Sequence, residues 1–307
     1  MADIEITYNG VDVSDEVEVA RCVHQTHAWG AADWLDIEFA DSDALWDAWG
    51  PAAGDVVSAA CGTASTGAMH VRRVARRDGR VAMRAYAMPA AMFEPRLRSW
   101  DSVRLLQLVA QLAGECGMAW AAAGVADRRY GQVDQPNVAS SAFLARRLSL
   151  EGASLMAFGG RLTAVSCSSM QELSPSVALV VESGSDYETR DIGPAAWGAC
   201  TVRCGRHSGT FRAGEGPGRT VELPYAATGD AEAARWAAGL LRRANREART
   251  MTLRDAPFSG RLTGGCTARI ECEDAPSWDG VHVAAMVRHD YVAESTTARL
   301  SRFLEGY

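Results

Sequence analysis

The chain has 307 residues, 48% of them hydrophobic and 22% charged, with a net charge of −7 at pH 7. That is enough for two or three domains with real cores, and it excludes a disordered chain. No apolar run approaches the roughly 20 residues that span a bilayer, and the opening MADIEITYNG has neither a basic nor an apolar leader segment, which points to a chain made in a cytoplasm and kept or assembled there.

The first elements read as strands. Ile4, Ile6 and Tyr8 alternate with Asp3, Glu5 and Thr7 up to an Asn9-Gly10 turn. Val17, Val19 and Val23 alternate with Glu16, Glu18 and Ala20, and Leu35, Ile37 and Phe39 with Asp36 and Glu38, which predicts aliphatic inner faces and acidic outer ones. A short helix or turn is expected at Asp41 to Trp49, then strands at 55–60, 68–77 and 80–88. Residues 1–92 thus read as an all-β, barrel-like domain. Its first 60 residues hold 13 acids against Arg21 alone, whereas residues 61–150 hold 13 arginines against 6 acids. The acidic surface serves solubility, or repels phosphate.

From Ser99 the texture changes. Asp101 or Ser102 offers a helix cap, and Val103, Leu105, Leu106, Leu108, Val109, Leu112 and Ala113 predict a helix buried on most sides, ending at Gly117. Residues 118–134 read as loop. Pro136, Asn137, Ser140 and Ser141 then lead into a helix carrying Phe143, Leu144 and Leu148, which stops at Gly152. A hairpin follows, Leu155 to Phe158 and Leu162 to Val165 around Gly159-Gly160. Residues 93–175 form an α/β middle domain in this reading.

Strands return at Val177 to Val181 and Trp197 to Arg206, with GEGPGR (214–219) as a mobile loop. Residues 229–249 predict a helix with Ala234, Ala237, Leu241, Ala244 and Ala248 inside. Strands through Cys266 to Cys272, Val281 to Val287 and Thr297 to Phe303 close the chain. Residues 176–307 read as a second barrel-like domain with a helical insertion, so the fold class is mainly β with an α/β insertion.

Three regions also resemble one family. Asn9-Gly10, Val13-Ser14, Asp33 to Phe39 (DWLDIEF) and Gly54 to Val57 (GDVV) follow the opening order of the phage late control protein D family, the tail or baseplate hub proteins of tailed phages. Arg96 to Val103 (RLRSWDSV) and Gln135 to Val165 resemble its middle, and DGVHVAAMVRHDY with TTARLSRFLEGY resembles its terminal hairpin. Residues 166–228 match little. The family is similar to the N-terminal half of type VI secretion spike (VgrG-like) proteins. The resemblance implies two barrel domains per chain and a homotrimer with a pseudo-sixfold ring. That ring would join a tail tube protein to a central spike protein in the virion, near a tape-measure protein, with DNA passing through unbound. The acids Glu16, Glu18, Asp36 and Glu38 are then the candidate channel-lining residues.

No catalytic pattern competes with this. Cys200 and Cys204 lie about 13 Å apart along a strand and Cys266 and Cys272 about 20 Å, at ~3.3 Å per residue, too far to share a metal ion unless the strand bends. All eight cysteines read as reduced, mostly buried thiols. His24, His27, His70, His282 and His289 show no ligand spacing, and His289 reads as a structural hydrogen-bonding residue. There is no GxSxG elbow, and GEGPGR lacks the features of a phosphate loop. Arg72, Arg73, Arg76, Arg77 and Arg80 suit phosphate or an acidic neighbouring subunit. The expectation is a non-enzymatic chain without cofactor, metal or membrane contact. The rival readings are a tail-associated cell-wall hydrolase and a carbohydrate-binding β module using Trp46 or Trp49.

Overall fold

The computed structural model describes residues 3–304 and Gly306; Glu305 and Tyr307, part of the expected closing motif, lie outside the described residues. The chain opens with β1 (Glu5–Tyr8), β2 (Val11–Asp12), β3 (Glu18–His27) and β4 (Trp34–Ala40). Asn9 and Gly10 both have positive φ, 48° and 84°, as the tight β1–β2 turn requires. Next come α1 (Leu45–Trp49), β5 (Val56–Cys61), β6 (Ala64–Ser65), β7 (Met69–Arg77) and β8 (Arg80–Tyr86). The middle holds β9 (Pro95–Arg104), α2 (Leu105–Glu115), β10 (Ala119–Ala123), β11 (Arg129–Ala139), α3 (Ser140–Leu150), β12 (Ala153–Phe158), β13 (Arg161–Ser166) and α4 (Cys167–Glu172). Then follow β14 (Val177–Val181), β15 (Tyr187–Asp191), β16 (Ala199–Cys204), β17 (His207–Arg212), β18 (Gly218–Glu222) and α5 (Asp230–Asn245). The chain ends in β19 (Arg249–Ala256), β20 (Thr267–Cys272), β21 (Gly280–Asp290) and β22 (Ser295–Arg302).

Strands from both ends of the chain share one antiparallel sheet, in the order β15-β19-β22-β21-β3-β4-β8-β7-β5-β1-β2. Its central seam pairs β21 with β3, Met286 opposite His27 through Asp290 opposite Val23. The chain is therefore mainly β, but no sheet among the described residues closes into a barrel. Three smaller sheets, β9 with β11, β10-β13-β12 and β17-β16-β18, carry the helices. One apolar core runs from Ile6 and Phe39 through Leu108, Leu144 and Leu155 to Trp236 and Leu241, and a second fills the β19–β22 region around Met251, Ile270 and Leu300.

Several expectations are corrected. Residues 118–134 contain β10 and most of β11; AWAAA carries no polar alternation to mark a strand, and it is held by parallel pairing to β13. Asp101 and Ser102 belong to β9 rather than capping α2, whose exposed N–H at Leu106 instead donates to Asp127 Oδ1, 3.0 Å away. Only one face of α2 is buried, Leu105, Leu108, Val109, Leu112 and Ala113. The inner face of α5 is turned so that Ala233, Trp236, Ala237 and Leu241 are buried while Ala244 is exposed, because the large Trp236 takes the core side. GEGPGR is anchored at two points: Gly216 lies against the backbone of Ala196 and Gly198, and Gly218 and Arg219 begin β18, while Gly214, Glu215 and Pro217 stay exposed.

Helices α3 and α5 cross in close contact at Gly239. A Cβ there would lie 2.2 Å from the Leu150 carbonyl oxygen and 2.6 Å from that of Ser149, so only glycine lets the helices approach this far. Beside this crossing, Glu151 accepts hydrogen bonds from the Tyr130 hydroxyl (2.8 Å), Trp236 Nε1 (2.9 Å) and Arg235 Nε (2.7 Å), tying β11, α3 and α5 together.

Candidate functional site

The outward face of the long sheet holds three of the four candidate acids. β4 alternates cleanly, Leu35, Ile37 and Phe39 buried and Asp36 and Glu38 half-exposed on the opposite face. A register shift between Val19 and Arg21 breaks the alternation expected in β3: it turns Cys22 and His24 inward, opposite Ile37 and Leu35, and puts Val23, though buried, on the face of Asp36. Glu18 is exposed at the start of β3, and Glu16 lies outside the strands, in an exposed 3-10 turn (Ser14–Glu16).

These acids do not stand alone. Asp36 lies 2.7 Å from Arg84 Nη1 and 3.6 Å from Arg21 Nη2, and Glu38 accepts from Arg80 Nη1 at 2.6 Å. Cross-strand register explains the main pair, since Arg84 sits opposite Asp36 on β8, whereas Arg21, opposite Glu38 on β3, reaches Asp36 diagonally. Arg84 also stacks 3.7 Å above the Trp34 ring, and Arg73 lines the same shallow hollow. The face is a mosaic in which Glu18, Asp36 and Glu38 meet Arg21, Arg73, Arg80 and Arg84, not the bare acidic surface expected from strand alternation. Of the basic run along β7 and into β8, Arg73 and Arg80 join this mosaic. Arg76 pairs with Asp47 at 2.8 Å and Arg77 with Asp78 at 3.0 Å. The signal for the arginines was present in the β7–β8 hairpin, but only the observed register brings them onto one face with the acids.

The mosaic continues across the seam to Arg254, which pairs with Asp186 (2.6 Å) and Glu188 (3.0 Å) between β19 and β15. Exposed pairs of this kind contribute little stability each, about 0–1 kcal/mol, so what they define is the charge pattern of the surface.

On the opposite side of the seam, histidines are buried. His289 Nε2 lies 2.8 Å from the Leu262 carbonyl oxygen and Nδ1 2.8 Å from Thr296 Oγ1. A carbonyl only accepts, so Nε2 carries the proton and Nδ1 accepts from the hydroxyl: a neutral, structural imidazole. His24 faces it in register, and burial, reinforced by His289, pushes its pKa down to about 3. The folded value lies below the ~6.5 of an unfolded histidine, so the unfolded chain takes the proton first and stability is lost as pH falls from about 6.5 toward 3. Buried Asp33, its carboxyl raised well above the usual range, works in the opposite sense and leaves the whole-protein slope a sum. The contribution of His24 is isolated by a His24→Leu chain. Between pH 7.5 and 5, the unsubstituted protein loses about 2 kcal/mol more than this variant in urea unfolding; equal losses would remove His24 from the acid response.

Among the described residues no group of three or more His, Cys, Asp or Glu side chains is placed to hold a metal ion, and no helix is long and apolar enough to cross a membrane. All eight cysteines are free thiols; Cys22, Cys200, Cys204 and Cys272 are buried and the others half-buried. The tryptophan surface required by a carbohydrate-binding reading is absent at Trp46, which is 1% exposed among Phe39, Trp49 and Tyr8 at 4.5, 4.8 and 5.1 Å. Asp41 accepts the Trp46 N–H at 3.0 Å and turns the aromatic into the core of the first strands.

Neither a family model nor a curated protein matches the sequence. Solved structures do match along its length. A tail protein from Neisseria meningitidis MC58 superposes with a TM-score of 0.73 at 12% identity, covering 97% of this chain and 96% of its own. The 43 kDa tail protein of prophage MuSo2 from Shewanella oneidensis gives 0.73 at 10% identity, covering 99% and 98%. The E. coli c3393 protein, a type VI secretion component described as similar to the T4 tail proteins gp27 and gp5, gives 0.60 at 13% identity over 98% of this chain and 78% of its own. The chain has the fold of these proteins.

Proposed function

From a chain with the fold of phage tail proteins and type VI secretion components, we propose a structural role in a phage tail or a related injection apparatus, as the hub between tail tube and central spike. Three copies form a ring. Residues 1–92 and 176–307 of each supply two tube segments, giving six around the axis, and residues 93–175 with the helix at 229–249 buttress them. The observation that carries this reading is the β3–β21 seam: two β regions far apart in sequence are hydrogen-bonded into one sheet, whose outward face carries the charged pairs of β4, β8 and β19. A ring of such sheets has a polar inner wall. The tail tube protein and the spike are the partners above and below, a tape-measure protein lies nearby, and the assembled protein resides in the virion after assembly in the host cytoplasm. The role is structural rather than catalytic.

In this reading Glu18, Asp36 and Glu38 face the channel and Glu16 lies at its rim. Their pairing with arginine leaves few free cations to hold the phosphates of passing DNA. An Asp36→Asn, Glu38→Gln hub unpairs Arg80 and Arg84; it is expected to assemble normally and to slow DNA ejection several-fold, most strongly at low salt. Ejection at the ordinary rate would remove these residues from the channel.

Light scattering of the purified protein over a concentration series, with and without the spike, tests the ring itself. A mass near three chains is expected, and a protein that stays monomeric with the spike present would sink the hub reading.

A further inference from the structure

A cleft of about 720 Å³ opens between α3, α5, β18 and the β3–β4 loop. Four arginines line it, Arg146, Arg219, Arg243 and Arg246, and no carboxylate among the described residues does. Their contacts are with rings and a hydroxyl: Arg246 stacks on Trp29 at 5.1 Å, Arg146 on Tyr225 at 5.1 Å, Arg219 on Trp197 at 5.6 Å, and Arg243 Nη1 donates to Ser149 Oγ at 3.3 Å. A smaller adjoining cavity adds Arg242, again without an acid. Five like charges repel one another, and burial, with a smaller push from Arg243, lowers the Arg246 pKa against the opposing pull of neighbouring Glu247. An anionic occupant relieves both costs.

The same chain carries the opposite shape and charge at the end of the long sheet. The β1–β2 hairpin projects Val11, 61% exposed, beside exposed Glu5, Asp12, Asp15 and Glu16. β2 is the last strand of its sheet, so its outer edge is also unpaired among the described residues. An open edge with an exposed aliphatic residue is a surface that proteins ordinarily cover.

We infer that the arginine cleft receives the acidic β1–β2 hairpin of a second copy of this chain, an inference that rests on the ring reading and specifies its contact. The floor of the cleft favours this occupant over a nucleic-acid backbone: alongside the arginines it presents half-buried Leu240, Val221 and Leu223, which suit Val11 and offer nothing to a phosphate chain. The two patches lie on different parts of the chain, so the contact is heterologous. Repeated head to tail, such a contact closes into a ring when the rotation between copies divides the circle.

Charge reversal tests it. Arg146 and Arg243 are exposed, as are Asp15 and Glu16, so reversing them leaves the core intact, which circular dichroism and melting temperature check. Sedimentation velocity on the full chain is expected to show that Arg146→Glu with Arg243→Glu, or Asp15→Arg with Glu16→Arg, raises the concentration needed for half-assembly at least ~10-fold. A chain carrying all four substitutions should regain assembly, because each reversed pair again meets its opposite.

If the unsubstituted protein forms the three-chain species and either double variant forms it equally well, or the four-substitution chain fails to recover, the contact is wrong and the ring reading stands. If the unsubstituted protein stays monomeric with the spike, both fall. A cleft variant that assembles normally but loses affinity for a single-stranded oligonucleotide of about 12 nucleotides overturns the inference in favour of a phosphate site.

Discussion

A Gly239→Ala chain melts about 10 °C below the unsubstituted protein, while Gly114→Ala melts at the same temperature or slightly above. The two glycines differ chiefly in surroundings, Gly239 in the middle of α5 and Gly114 in the last turn of α2. Both lie inside helices, and alanine is intrinsically better there by up to about 1 kcal/mol. At Gly114 on α2 a Cβ meets nothing within 4 Å, so the intrinsic gain appears. At Gly239 the same atom falls 2.2 Å from the Leu150 carbonyl oxygen, a backbone atom at the end of α3 that no rotamer change can move. The helices must separate, and overpacking of this kind costs about 3–4 kcal/mol, which at roughly 2–4 °C per kcal/mol gives the stated shift. Differential scanning calorimetry on both variants reads the contrast. A Gly239→Ala chain that melts with Gly114→Ala would show that α3 and α5 do not meet as described.

Replacing Glu151 by leucine is expected to destabilise the protein by about 3 kcal/mol, and by glutamine about half as much. The carboxylate is 4% exposed and receives three donors from two other elements, so its loss leaves Tyr130 and Trp236 with buried, unpaired polar hydrogens. Arg235 keeps a partner, because Glu232 lies 3.1 Å from its Nη2, and this moderates the cost. Glutamine retains an acceptor but not the charge. The variants also differ in kind: burial and the neighbouring carboxylate raise the Tyr130 pKa, so Glu151→Leu brings tyrosine ionisation to lower pH, readable by ultraviolet titration. Unfolding in urea at neutral pH gives the stability; a leucine variant as stable as the original would show that the three donors find other partners.

Neither residue announces itself in the sequence. Gly239 sits in an alanine-rich helical stretch where a glycine reads only as a weak helix former, and nothing local says that another helix passes against it. Glu151 reads as the last residue of a helix before Gly152; its donors lie 21, 84 and 85 residues away. What was legible is local. Asn9-Gly10 and Gly159-Gly160 mark their turns because the required positive φ values exclude most side chains, and Leu35, Ile37 and Phe39 mark β4 because its two faces differ. The candidate acids were half legible for the same reason: alternation puts Asp36 and Glu38 outward but is blind to the 3-10 turn that takes Glu16 out of the strand and to the strands that bring Arg21 and Arg84 beside them. Trp46 misleads because it stands among Asp41, Asp43 and Asp47 in sequence, yet it turns inward. The alanine-rich strand β10 is invisible since its partner, β13, lies beyond β11, α3 and β12.

The seam between β3 and β21 also governs how the protein is made. Thr26 and Val287, which meet across it, are 261 residues apart. At about 5–20 residues per second, β3 waits on the order of 10–50 s after its own synthesis before its second neighbour exists. During that interval β4 covers one edge of β3 and the other stays open, a template for any passing strand. The seam closes only once β21 has left the ribosome, so a chain terminated before that strand lacks the partner that would make its first strands native, and is left recognisably unfinished.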